Sequence, residues 1–75
     1  MTLGDRLKTE RERRGMSQRE LGRRAQVRYA LISELESHKK HDTIGSNLGR
    51  LARVLGISVD YLLFGPYEPD EGKAS

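Results

Sequence analysis

The stretch QRELGRRAQVRYALISELES, residues 18–37, decides how this chain is read. Leu21 and Ala25 stand four apart, and Ile32 and Leu35 three apart, so each pair shares one face of a short helix. With Val27 they form an inward-facing set. The short interval between the pairs predicts two helices crossing at a tight turn. In that arrangement the second helix is supported from beneath, and its outer face is free to enter the major groove of DNA.

Size and charge frame this unit. Seventy-five residues make one domain, and a chain this short buries only about 60–65% of its unfolded surface, so the core is small. The absence of cysteine removes thiolate zinc sites and disulfides and fits a reducing cytoplasm. No apolar run approaches the ~18 residues a membrane helix needs, and no charged-then-apolar leader is found. The expected location is cytoplasmic, on the nucleoid when bound. Net charge is +3, unevenly spread: residues 1–41 carry 11 Lys/Arg against 6 Asp/Glu (+5), and residues 42–75 carry 3 against 5 (−2). The basic half is the one that holds the two-helix unit. A basic surface attracts a polyanion, although a solvated helical face has the same composition.

Caps divide the chain into five helices, with no strand-type alternation, repeats or low-complexity segments. Thr2 caps a helix over residues 3–14, with Gly15 as its left-handed terminator. Ser17 and Glu20 form an S-x-x-E capping box that opens the second helix. The third starts near Arg28 or Tyr29 and ends near Ser37. Asp42 or Thr43 caps the fourth, along which Ile44, Leu48, Leu51 and Leu55 form a stripe ended by Gly56. Gly45 and Gly49 each cost that helix about 1 kcal/mol relative to alanine unless another backbone approaches there. Ser58 caps a fifth helix over residues 59–64, stopped by Gly65-Pro66. Residues 1–65 are the expected helix-turn-helix domain and residues 66–75 a flexible acidic tail.

The blocks LKTER (7–11), GMSQRELG (15–22), ISELE (32–36) and LARVLGISVDYLL (51–63) together resemble the Cro and lambda-repressor-like helix-turn-helix domains, the XRE family. The resemblance spans residues 3 to about 64. It implies an all-α, five-helix lambda-repressor-like fold and a transcriptional regulator, usually a repressor, that binds a palindromic operator as a dimer. Four positions depart from the pattern. Gly22 stands where relatives usually have alanine, and Gln26 where they usually have glycine. Arg28 replaces a Ser or Thr cap, and Glu10 an apolar residue. A non-glycine residue with positive φ at Gln26 carries strain of roughly 1 kcal/mol or more, and Glu10 puts tight packing of helix one in question. The resemblance also implies a partly buried ion pair between Arg11 and Glu36, and a phosphate contact for Gln18.

Contacts to phosphate position a protein on DNA, and contacts to base edges give sequence preference. Ser17 and Gln18 stand at a helix N-terminus, where free N–H groups and the dipole favour an anion. Arg28, Lys39 and Lys40 are cationic and flank the reading helix, with His38 and His41 as lesser candidates. Two histidines three apart lack a third ligand, so no metal is expected. Tyr29, Ala30, Ser33, Glu34 and Ser37 are left outward when Ile32 and Leu35 point in, with Leu31 intermediate. Arg28 suits guanine O6 and N7, Tyr29 a phosphate or base edge, Ala30 a thymine methyl, and Glu34 cytosine N4. Arg11, Arg13 and Arg14 crowd the end of helix one and Arg23 and Arg24 the end of helix two, where the dipole favours cations without any need of DNA.

Val59, Tyr61, Leu62, Leu63 and Phe64 are five apolar or aromatic residues in six, more than one side of a short helix buries. With Leu62 facing the core, Tyr61, Leu63, Phe64 and Tyr67 are the expected homodimer surface. No catalytic triad, phosphate-cradling glycine loop or paired carboxylate is present, so neither enzyme activity nor a cofactor is expected. The rival reading is an antitoxin-like or adaptor module that grips a regulatory protein partner. RNA binding is weaker, because A-form RNA does not admit a helix.

Overall fold

Five helices run in the order α1 (Leu3–Arg13), α2 (Gln18–Ala25), α3 (Tyr29–Glu36), α4 (Gly45–Leu55) and α5 (Val59–Phe64) in the computed structural model, which describes residues 1–67. No strand occurs among the described residues. Of the expected acidic tail, Pro66 and Tyr67 are exposed and residues 68–75 lie outside the described residues. No helix is long and apolar enough to cross a membrane.

Local chemistry sets the helix starts. Thr2 and Asp5 form a reciprocal capping box: Thr2 Oγ1 accepts from the Asp5 N–H at 3.2 Å, and the Thr2 N–H donates to Asp5 Oδ2 at 3.0 Å. Ser17 and Ser58 accept from the N–H groups of Glu20 and Tyr61, at 3.0 and 2.9 Å. The second half of the expected Ser17–Glu20 box does not form, because Glu20 bonds forward to Arg23 and Arg24 instead. α4 also starts differently from the expectation. Ile44 is its N-cap, without a side-chain cap bond, and is exposed rather than part of the stripe. Asp42 accepts from the Thr43 N–H and Thr43 from Asn47, so neither caps the helix.

Four helices end in one device, a residue in the left-handed region whose N–H groups close back on the last turn. At α1 and α4 that residue is Gly15 and Gly56, both with φ of 69°. At α2 and α3 it is Gln26 (φ 58°) and His38 (φ 67°), at a cost of about 1–2 kcal/mol each for a residue with a Cβ. Val27 N–H to Gly22 O (3.0 Å) and Lys39 N–H to Glu34 O (2.9 Å) complete these two ends.

The core draws on every helix. Leu7, Leu21, Ile32, Leu35, Leu51, Leu55 and Leu62 are fully buried. α3 packs on α1 and α2, α4 on α2, and α5 on α1 and α4. Gly4 lets α1 cross α3 backbone against backbone: a Cβ there would lie 1.9 Å from the Leu35 carbonyl oxygen. Gly22 does the same for the turn, with a Cβ position 2.9 Å from Val27 O. By contrast, Gly45 and Gly49 have nothing within 4 Å, so they mark no close approach.

Charged groups also enter the interior. Arg6 is buried and caps the end of α5, donating from Nε to Leu62 O at 2.9 Å, from Nη2 to Leu63 O, and from Nη1 to Met1 O at 2.8 Å. Glu10 is only 3% exposed. It accepts from Arg14 Nη1 (2.8 Å), Arg13 Nη1 (3.2 Å) and the Tyr61 hydroxyl (3.3 Å). The carboxylate is therefore accommodated, and helix one packs tightly around it.

Two stability outcomes follow from this packing. Gly4→Ala loses about 1–3 kcal/mol by overpacking, while Gly49→Ala gains roughly 0.5–1 kcal/mol of helix propensity, so thermal melts of the two variants shift in opposite directions. The Arg14 hydrogen bond, aided by Arg13 and Tyr61, holds the Glu10 carboxyl below its ordinary value of 4.5. Its contribution is present above pH 4.5 and is lost as pH falls through the lower folded value. Glu10→Gln melts lower at neutral pH and declines less steeply on acidification, as thermal melts across acid pH will register.

Candidate nucleic-acid interface

α3 lies on the body of the domain with Leu31, Ile32 and Leu35 buried beneath it. Leu31, at 6% exposure, belongs to this inner set and not to the reading face, a correction to its expected intermediate position. The opposite side carries Arg28, the N-cap without a side-chain cap bond, followed by exposed Tyr29 and Ala30. Ser33 and Glu34 are half-buried, and Ser37 is exposed at the far end.

The C-terminal end of α3 is fastened from two sides. Arg11 meets Glu36 through two parallel bonds, Nε to Oε2 and Nη2 to Oε1, both 2.8 Å. The two side chains are 10% and 4% exposed, so this is a buried bidentate pair. Arg11 also donates to Met16 O at 2.7 Å, and the bond to Glu36 raises its pKa. Gln18 then donates from Nε2 to Glu36 Oε1 at 3.1 Å. The residue expected at a phosphate is thus held by the carboxylate that orients the reading helix. Ser17, exposed, keeps its Oγ on the Glu20 N–H.

Beyond α3, Lys39 and Lys40 are exposed. Lys40 Nζ lies 3.6 Å from Glu34 Oε1, which couples two expected DNA contacts and offsets part of the lysine charge. Arg28 and Lys39 have no ion-pair partner among the described residues. His38 is exposed but engaged within the chain: its Nε2 lies 3.0 Å from Asp5 Oδ1 and 3.3 Å from Thr2 Oγ1, and its ring stacks on His41. The Asp5 carboxyl is lowered chiefly by the Thr2 backbone N–H, with His38 a smaller contribution. No group of three potential metal ligands occurs among the described residues.

The surface expected for pairing is narrower than the sequence suggests. Tyr61 is half-buried with its hydroxyl on Glu10, and Leu63 packs against the core. Phe64 and Tyr67, at 74% and 87% exposure, are the two aromatic residues left outward at this end. Two further residues escaped the sequence reading. Arg6 gives no local signal of its role at α5, because the Leu62 and Leu63 carbonyls it caps lie 56 and 57 positions away. Arg19, exposed in the first turn of α2, places its guanidinium carbon 4.2 Å from the centre of the Tyr29 ring; only the folded crossing of the two helices reveals it.

This arrangement has known counterparts. A helix-turn-helix family model matches residues 7–62. The P22 c2 repressor, solved in complex with a synthetic operator, is 32% identical with a TM-score of 0.80, over 88% of this chain and 98% of that one. The N-terminal DNA-binding domain of SinR from Bacillus subtilis is 30% identical with a TM-score of 0.82, over 88% and 96% of the two chains. No curated protein sequence gives a significant match. Family match and structural likeness coincide on the same five helices, and the chain belongs to the Cro and lambda-repressor-like, XRE-type helix-turn-helix family of DNA-binding transcription regulators.

Proposed function

We propose that this protein is a sequence-specific repressor that binds a palindromic operator as a homodimer, with α3 in the major groove of each half-site. One observation carries the reading: an outward face running from Arg28 to Ser37 on a helix whose other side is buried and whose end is clamped by Arg11. A rigid, polar, cation-flanked helix of two turns suits base edges better than the apolar surface of a protein partner. That the P22 c2 repressor binds an operator supports the same role here.

Contacts divide by chemistry. Arg28, unpaired and at the start of α3, has the planar fork that matches guanine O6 and N7. Tyr29, Ala30, Ser33 and Glu34 follow along the groove, and Ser37 stands at its end. Ser17, Gln18, Lys39 and Lys40 address the phosphates on either side. A single module of this size has limited affinity, and two-fold pairing through Phe64 and Tyr67 doubles the footprint.

Selection from random DNA at a fixed salt concentration should return an inverted repeat with half-site centres about 34 Å apart. Arg28→Ala weakens the selected sequence by about 1–3 kcal/mol while sparing random DNA; equal losses on both would remove it from base reading. Lys39→Ala lowers affinity for all sequences and reduces the salt slope by about one. Lys40→Ala does so less, because Glu34 already screens it. Sedimentation equilibrium at micromolar concentration should give twice the mass of the single chain, returning to one chain in Phe64→Glu. A concentration-independent monomer would sink the pairing.

A further inference from the structure

The arginines of α1 and α2 are, with one exception, committed to oxygens of this chain. Arg6 holds backbone carbonyls, Arg11 holds Glu36, Arg13 and Arg14 hold Glu10, and Arg23 and Arg24 hold Glu20. Arg19 alone has no ion-pair partner among the described residues. The sequence explains this: the positions three and four away are Gly15, Met16, Gly22 and Arg23, none of them acidic. The neighbouring carboxylate, Glu20, is taken by two other arginines. The Arg19 guanidinium lies instead over the face of Tyr29, the first residue of α3, which is 42% exposed.

We infer that Arg19 is a DNA-contacting residue that positions Tyr29, so that the guanidinium and the phenol act as one reading element bridging α2 and α3. The inference rests on the DNA-binding reading above. A guanidinium stacked on an aromatic face keeps its N–H groups in the plane, pointing past the ring edge and free to bond outward. Beside the Ser17–Gln18 helix start, those donors face the phosphate that the N-terminus of α2 addresses. The stack also restricts an exposed tyrosine to one orientation before DNA arrives, and such preorganisation lowers the ordering cost of binding. Arg19 thus supplies charge to the backbone contact and fixes the ring that meets the neighbouring base step.

The test is a double-variant cycle on the intact protein, using the sequence selected by the wild type and a scrambled duplex. Arg19→Ala is an exposed substitution, and an unchanged melting temperature will show that the fold is kept. It should weaken the selected sequence about tenfold, lower the salt slope by about one, and broaden base preference at the step facing Tyr29. In a Tyr29→Leu background the same change should cost only a few-fold, because the stack is already gone. Arg19→Lys should retain the salt slope yet broaden the preference, since an ammonium lacks the planar fork. Losses that multiply in the double variant, or an Arg19→Ala protein with unchanged preference and salt slope, overturn the inference while leaving the DNA-binding reading intact. A wild-type protein that selects no sequence overturns both.

Discussion

The buried pair between Arg11 and Glu36 is the constraint on which the DNA-facing geometry depends. It joins the last turn of α1 to the last turn of α3 through two bonds in a nearly dry environment. Removing one partner of such a pair leaves an uncompensated charge and costs about 3–5 kcal/mol, a large share of the stability of a small domain. Because Glu36 also receives the Gln18 amide, one carboxylate registers α1, α2 and α3 together. The seating of α3 on the body and the placement of the Gln18 side chain at the start of α2 are set by the same group. Gly4 makes the junction possible, since any side chain there would meet the Leu35 carbonyl and push α1 away.

A net charge of +3 understates how selectively this chain deploys its cations. Most arginines of the first two helices neutralise carboxylates or cap carbonyls, and contribute little to a long-range field. Arg19 at the start of α2, Arg28 at the start of α3 and Lys39 beyond its end have no ion-pair partner among the described residues. The charge that matters for DNA is local, and it is defined as much by where the acids stand as by where the bases do. Glu10 and Glu20 each absorb two arginines, which offsets the positive charge at the C-terminal ends of α1 and α2.

Much of this was readable from the sequence because it is encoded within a few residues. Thr2, Ser17 and Ser58 announce helix starts, Gly15 and Gly56 announce ends, and the Leu21–Ala25 and Ile32–Leu35 spacings orient the central pair. What was hidden depends on contacts between distant segments. His38 adopts the backbone that glycine usually supplies without any such signal, whereas the same conformation at Gln26 was foreshadowed by the glycine relatives carry there. Ile44 continues the apolar spacing of α4 but stands one position before the helix and faces solvent. The outward candidates on α3 were legible from periodicity, except that Leu31 turns inward. Tyr61 and Leu63 looked available for a partner because nothing in their neighbourhood shows that Glu10 and the core already hold them.

The Arg6 clasp couples the end of α5 to the body of the domain. α5 has six residues, too few to persist alone, and its last carbonyls wait for a guanidinium 56 positions earlier in the chain. Closing so long a loop carries an entropic cost that the Arg6 bonds to Leu62 and Leu63 and the burial of Leu62 offset. The seating of the exposed Phe64 therefore depends on a residue near the other end of the chain. In the homodimer proposed above, a change at Arg6 would therefore reach the pairing surface without touching it.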